Sequence, residues 1–153
     1  MKAISTEQGS IMSVVSTAQA TWSGTLTEGA GSTSLISSGL GTFATNWKAR
    51  AEGADGTTTP EELLGAAHAA CYSMAMSLGL AEQGLVATRI DVKADVTFVP
   101  GKGITGVALT VIAEIPGMDQ AAFASFAEVV KGDCPVSKAL TGTTVTLTSA
   151  ALL

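Results

Sequence analysis

The chain has 153 residues, enough for one domain of ordinary size. Only 14% are charged, against the ~25% usual in soluble domains, while 46% are hydrophobic, so part of the surface is expected to be hidden in an oligomer. The 8 basic and 13 acidic residues give a net charge of −5 and form no Lys/Arg cluster, which argues against a surface that tracks nucleic-acid phosphates.

The first residues, MKAISTEQGS, lack the apolar core of a secretory signal, so the cytoplasm is the expected compartment. There a paired cysteine points to redox chemistry more than to a structural disulfide. Residues 1–11 read as a disordered extension or an expression remnant ahead of a single domain at 12–153, with Met12 as the natural start. From Ser16 to Glu52, three β-favouring pieces, TAQATWSG, STSLISSG and TFATNWKARAE, are separated by glycine and predict a three-stranded meander. A polar loop, AEGADGTTTP, then leads into a strong helix start: Thr59 as N-cap, Pro60 in the first helical position and Glu62 completing a capping box. Glu61 has no capping duty. The helix is expected to end near Glu82, where Gly84 supplies a stop.

Within it, Leu63 to Ala81 carries no formal charge and has about the length of a membrane span, roughly 20 residues. Its glycines, serines, histidine and many alanines, with acids at both ends, argue instead for a helix buried on all sides in protein. Small side chains permit close approach of a second helix, and no other helix of this character is found in the chain, so a twofold-related copy is the expected partner. Next, TRIDVKADVTFV alternates with period two, and GVALTVIAEI follows after a VPGKGIT turn, which predicts an antiparallel hairpin. Asp119 to Lys131 reads as an amphipathic helix, PVSKAL as a further turn or two, and TTVTLTSAALL as a closing strand. The class is α+β, with the later strands expected to be antiparallel.

Two glycine patterns, GKGITG at 101–106 and GLGTFA at 39–44, run into β-like sequence and do not open a helix, so a dinucleotide site is not expected. One histidine and two widely separated cysteines do not supply zinc-ligand spacings, and no G-x-S-x-G elbow is present. His68 shares a helix face with Cys71, either as a packed, hydrogen-bonded residue or as a charge partner to the thiol. Cys71 taken alone reads as a small buried hydrophobe. Cys134 precedes Pro135 at a helix start, where unpaired backbone N–H groups favour a thiolate; its plainer reading is an N-cap thiol. Arg50 and Arg89 are the chain's two arginines. A surface ion pair is the plain reading of Arg50, and a favourable first-turn anion that of Glu61.

Taken together, TTPEELLGAAHAACYSMAMSL closely resembles the helix signature of the OsmC/Ohr family, the osmotically inducible protein C and organic hydroperoxide resistance proteins, with Thr59 in place of the usual Asn. GDCPVSKAL resembles the second half of that signature, and HAAC with WKARAEG is more similar to the OsmC branch. The resemblance implies an intertwined homodimer and a thiol peroxidase. It places the peroxidatic cysteine on Cys71, the resolving cysteine on Cys134, a carboxylate on Glu61 and an arginine on Arg50. It also implies an organic hydroperoxide as substrate, no bound cofactor or metal, and an external dithiol reductant of lipoyl type. Met74, Leu78 and Leu64 are expected to form an apolar wall beside Cys71. Glu61 precedes Cys71 by ten residues, about 15 Å along a helix axis, so it either reaches the thiol of a partner chain or is not at the site. The rival expectation is a non-enzymatic dimer that binds a small ligand, or senses oxidation, in the same pocket.

Overall fold

In the computed structural model, which describes residues 13–53 and 56–153, the N-terminal pieces become three short strands, β1 (Ala18–Ser23), β2 (Ala30–Leu35) and β3 (Thr42–Thr45). The extension expected at 1–11 and the start at Met12 lie outside the described residues. The strands pair antiparallel in the order β1-β2-β3, with Ala18 opposite Leu35 and Gly31 opposite Thr45, which is the meander expected. The third piece departs from expectation. The Asn46 side chain accepts the Ala49 N–H at 2.7 Å and starts a helix, α1 (Trp47–Glu52), which Gly53 ends at φ 109°. Arg50 therefore sits on a short helix, not at the end of a strand. Every residue of β1 is exposed, and Trp22, Leu26 and Phe43 present apolar surface to solvent.

α2 (Pro60–Glu82) starts as its sequence dictates: Thr59 Oγ1 accepts the Glu62 N–H at 3.1 Å, Pro60 follows, and Gly84 at φ 71° lies just past the end. The expected capping box is only half formed, because the Glu62 carboxylate accepts the Thr58 hydroxyl at 2.6 Å instead of the Thr59 N–H. The buried residues of α2 are Glu61, Gly65, His68, Tyr72, Met76 and Leu80, a single stripe at helical spacing. Burial on all sides is thus not met within one chain, because a single face meets the sheet and the opposite one leaves Met74 and Leu78 66% and 64% exposed. α2 is long and apolar enough to cross a membrane by length and composition alone.

The second sheet follows. β4 (Arg89–Val99) and β5 (Gly103–Glu114) form the expected antiparallel hairpin, closed by a Lys102 N–H to Val99 carbonyl bond of 2.9 Å. α3 (Gln120–Asp133) is capped by Asp119, whose carboxylate accepts the Ala122 N–H at 2.9 Å. α4 (Pro135–Ala139) and β6 (Thr144–Leu152) complete the chain. The strand order is β4-β5-β6, and β6 runs parallel to β5, not antiparallel as expected. A parallel neighbour needs a long crossover, and the segment carrying α3 and α4 supplies it.

The core lies between this sheet and its helices. Val107, Leu109, Val111 and Ala113 alternate inward along β5 and meet Tyr72, Met76 and Leu80 of α2 and Phe123 and Ala127 of α3. The Tyr72 hydroxyl donates to the Ala127 carbonyl at 2.7 Å, tying α2 to α3 inside the core. Two glycines set how closely α2 approaches its neighbours. A Cβ at Gly65 would stand 3.0 Å from the Ala94 carbonyl oxygen, and one at Gly79 would stand 2.9 Å from Phe126 Cε2. The outer face of β4 is charged, with Arg89 paired to Asp91 at 2.6 Å and Lys93 to Asp95 at 2.8 Å. Among the described residues this is an α+β arrangement: an N-terminal meander, a long central helix, and a mixed sheet covered by helices.

Candidate active site

Cys71 projects from the middle of α2 and is half-buried; Cys134 is completely buried at the junction of α3 and α4. The backbone of Cys134 ends one helix and begins the next: its N–H donates to the Val130 carbonyl at 2.9 Å, and Pro135 opens α4. Its thiol makes no capping hydrogen bond. The plain N-cap reading therefore fails, and the side chain instead faces Cys71. Both thiols are free and lie close enough to interact electrostatically, with the Val136 backbone N–H also near the Cys71 sulfur. Residues 63 positions apart in the sequence thus form one dithiol centre.

Within a single chain this environment does not favour the thiolate. Burial pushes the Cys71 thiol above its ordinary range, the Val136 N–H opposes that shift, and the adjacent Cys134 adds to it. Cys71 opens onto a cleft of about 910 Å³, walled by Met74 and Leu78 of α2, Phe126 and Val129 of α3 and Pro135 of α4. Met74 and Leu78 stand where the apolar wall was expected, whereas Leu64 does not line the cleft. Gly79 belongs to the same wall, where its missing side chain leaves room for the Phe126 ring.

Arg50 and Glu61 come together, but not at Cys71. The guanidinium is held in a fork: Nε donates to Glu61 Oε1 at 3.0 Å and Oε2 at 3.2 Å, and Nη2 donates to Oε1 at 2.8 Å. The Glu61 side chain is 9% exposed and that of Arg50 30%, so the pair is partly shielded. Arg50 also stacks over Phe98, 4.2 Å from the ring centroid, and Trp47 meets the same ring edge-on at 6.1 Å. This group borders a second hollow, about 420 Å³, lined by Trp22, Leu26, Trp47, Arg50, Pro60 and Leu63. It opens near the start of α2, whereas Cys71 lies ten residues on, about 15 Å along the axis. Arg89 is elsewhere, on the charged outer face of β4 with its side chain 65% exposed.

His68 is packed and hydrogen-bonded: it is fully buried, and its Nε2 lies 2.8 Å from Ser137 Oγ on α4. Burial holds its imidazole below the usual range, which disfavours the role of charge partner to the thiol. Among the described residues no cluster of three or more His, Cys, Asp and Glu is placed to hold a metal ion. Three contributors escaped the sequence reading: Phe98 under the guanidinium, Ser137 against His68, and the Val136 N–H at the sulfur. The alternation along β4 could have placed Phe98 on the helix-facing side. Ser137 and Val136 carried no such signal, because their position depends on how α4 folds back over α2.

A family model described as OsmC-like protein matches residues 53–149. The peroxiredoxin OsmC of Escherichia coli K12 is 42% identical over 132 residues, spanning 84% of this chain and 92% of that protein, and the same values hold for peroxiredoxin OsmC of Shigella flexneri. Among solved structures, an organic hydroperoxide resistance protein OsmC from Legionella pneumophila superposes with a TM-score of 0.67 at 22% identity, over 92% of this chain and all of the other. That likeness is one of fold.

Proposed function

The chain belongs to the OsmC-like protein family, and from that premise we infer that it is a cysteine-based peroxidase that reduces organic hydroperoxides to alcohols. The observation that carries this reading is the proximity of two free cysteines, Cys71 on the wall of an apolar cleft and Cys134 buried beside it at the junction of α3 and α4. The Cys71 thiolate attacks the distal peroxide oxygen; the O–O bond breaks, an S–O bond forms, and the departing alkoxide takes a proton to become the alcohol. The Cys134 sulfur then attacks the Cys71 sulfenic acid; an S–S bond forms and water leaves. An external dithiol, of lipoyl type, returns both cysteines to thiols and is itself oxidised to a disulfide. No bound cofactor takes part in these steps. Met74, Leu78, Phe126 and Val129 favour an alkyl-bearing peroxide over hydrogen peroxide, because they offer it apolar surface.

The working form in this proposal is an intertwined homodimer of one OsmC-like domain, residues 12–153, in the cytoplasm. Each active site takes Cys71 and Cys134 from one chain and Arg50 and Glu61 from the other. Three features support it. Burial raises the Cys71 pKa within a single chain, and a guanidinium brought by a second chain would oppose that shift. The Arg50–Glu61 pair lies in a separate hollow, about 15 Å along α2 from Cys71. The meander and one face of α2 leave Trp22, Leu26, Met74 and Leu78 in solvent, which a second copy would cover. In this role Arg50 stabilises the thiolate, and Glu61 fixes the guanidinium.

The raised Cys71 pKa is also what an inert or merely redox-sensing thiol would show, so the second reading is a non-enzymatic dimer that uses the same cleft. Turnover separates the two. The peroxidase consumes cumene hydroperoxide or tert-butyl hydroperoxide catalytically with dihydrolipoamide; binding without turnover, or one slow stoichiometric oxidation, favours the rival.

A further inference from the structure

α4 is five residues long, has no side-chain cap and contains no buried residue. A helix that short has no independent stability, so its orientation must come from ties to the rest of the protein. Yet α4 places the Val136 N–H near Cys71 and follows directly on Cys134. Val136 and Leu140 pack against the core, and His68 and Ser137 supply a polar tie beside them. His68 precedes Cys71 by three residues on one face of α2, and Ser137 follows Cys134 by three residues. Their 2.8 Å hydrogen bond thus joins the two cysteine-bearing segments one turn away from each sulfur. The imidazole is completely buried, and its Nδ1 has no partner among the described residues, so the ring's polar contact goes to Ser137. Burial disfavours the charged ring, and Nε2 and the serine hydroxyl share one hydrogen bond whose donor is set by the tautomer.

We propose that His68 and Ser137 are positioning residues whose hydrogen bond holds α4 over α2 and so sets how readily the Cys71–Cys134 disulfide closes. The use of this bond rests on the peroxidase reading above, but the geometry does not. When the disulfide closes, each thiol loses one proton and one electron, and an oxidised lipoyl group accepts both pairs to become the dithiol. Two sulfurs already held near each other lose little freedom on bonding, which favours the disulfide. Freeing α4 reduces that preorganisation.

The test is a redox titration of the full chain in lipoamide/dihydrolipoamide mixtures, with the disulfide fraction read by thiol trapping and mass spectrometry. Ser137→Ala removes the hydroxyl without adding bulk. It should lower the equilibrium constant for disulfide closure about five-fold, the factor one neutral hydrogen bond contributes. That corresponds to a rise of about 20 mV in reduction potential at 29.6 mV per decade. Ser137→Thr keeps a hydroxyl and His68→Gln keeps a terminal N–H donor, and both should remain near the wild-type potential. An unchanged potential in Ser137→Ala, even with a lower melting temperature, overturns the proposal, and so does a shift toward a more stable disulfide. No hydroperoxide enters this titration, so an absence of peroxidase turnover would sink the proposed function and leave this result standing.

Discussion

Mixed dimers should regain activity that neither parent has, if each active site is shared between two chains. The perturbation pairs a Cys71→Ser chain with a Glu61→Ala chain. Cys71→Ser leaves no thiolate and should be inactive. Glu61→Ala removes three hydrogen bonds of 2.8–3.2 Å from the Arg50 guanidinium and keeps its stacking over Phe98. A charge-assisted contact is worth about 1.5–3 kcal/mol, so the Glu61→Ala parent should lose about 10- to 150-fold in kcat/KM. In a shared arrangement the heterodimer concentrates both lesions in one site and leaves the other whole, so each heterodimer should retain about half of wild-type activity. Random 1:1 assembly makes about half of the dimers heterodimers, and the mixture should therefore reach about a quarter of wild-type activity. The assay is dihydrolipoamide-coupled reduction of tert-butyl hydroperoxide after co-refolding, with tagged chains used to isolate the heterodimer. A heterodimer no more active than the mean of its parents would place each site within one chain and refute the reasoning.

Other outcomes follow from the same geometry. Cys134→Ser should still reduce one equivalent of peroxide but lose cycling, and mass spectrometry should find Cys71 as the sulfinic or sulfonic acid; sustained cycling would remove Cys134 from the resolving role. Arg50→Ala should move the pH profile of Cys71 alkylation upward, because a cation that favours the thiolate is gone, whereas Arg89→Ala should not, being exposed and paired with Asp91. The reverse pattern would transfer the role to Arg89. Burial depresses the His68 pKa below 6.5, so the unfolded chain binds this proton first as pH falls; the associated stability is intact above about pH 6.5 and lost below it. Denaturant titrations from pH 7 to 5.5 should show a steeper loss in wild type than in His68→Gln, and parallel curves would count against it.

Local chemistry makes much of this protein legible in its sequence. The Thr59–Pro60 start of α2, its end near Gly84 and the period-two pattern of β4 are each decided within a few adjacent residues, and each stands where it was expected. The freedom of Glu61 from capping is also local, and it leaves the carboxylate available to Arg50. The rest depends on contacts between distant segments. TFATNWKARAE favours a strand along most of its length, but one Asn46 cap converts its second half into the helix that carries Arg50. The direction of β6 is invisible in the sequence because strand propensity has no sign, and the crossover through α3 and α4 makes it parallel. The sequence alone identifies Cys71 and Cys134 as the candidates. Their proximity, and the His68–Ser137 tie beside it, arise where α4 folds back over α2, and that placement depends on packing against a sheet whose strands come from elsewhere in the chain.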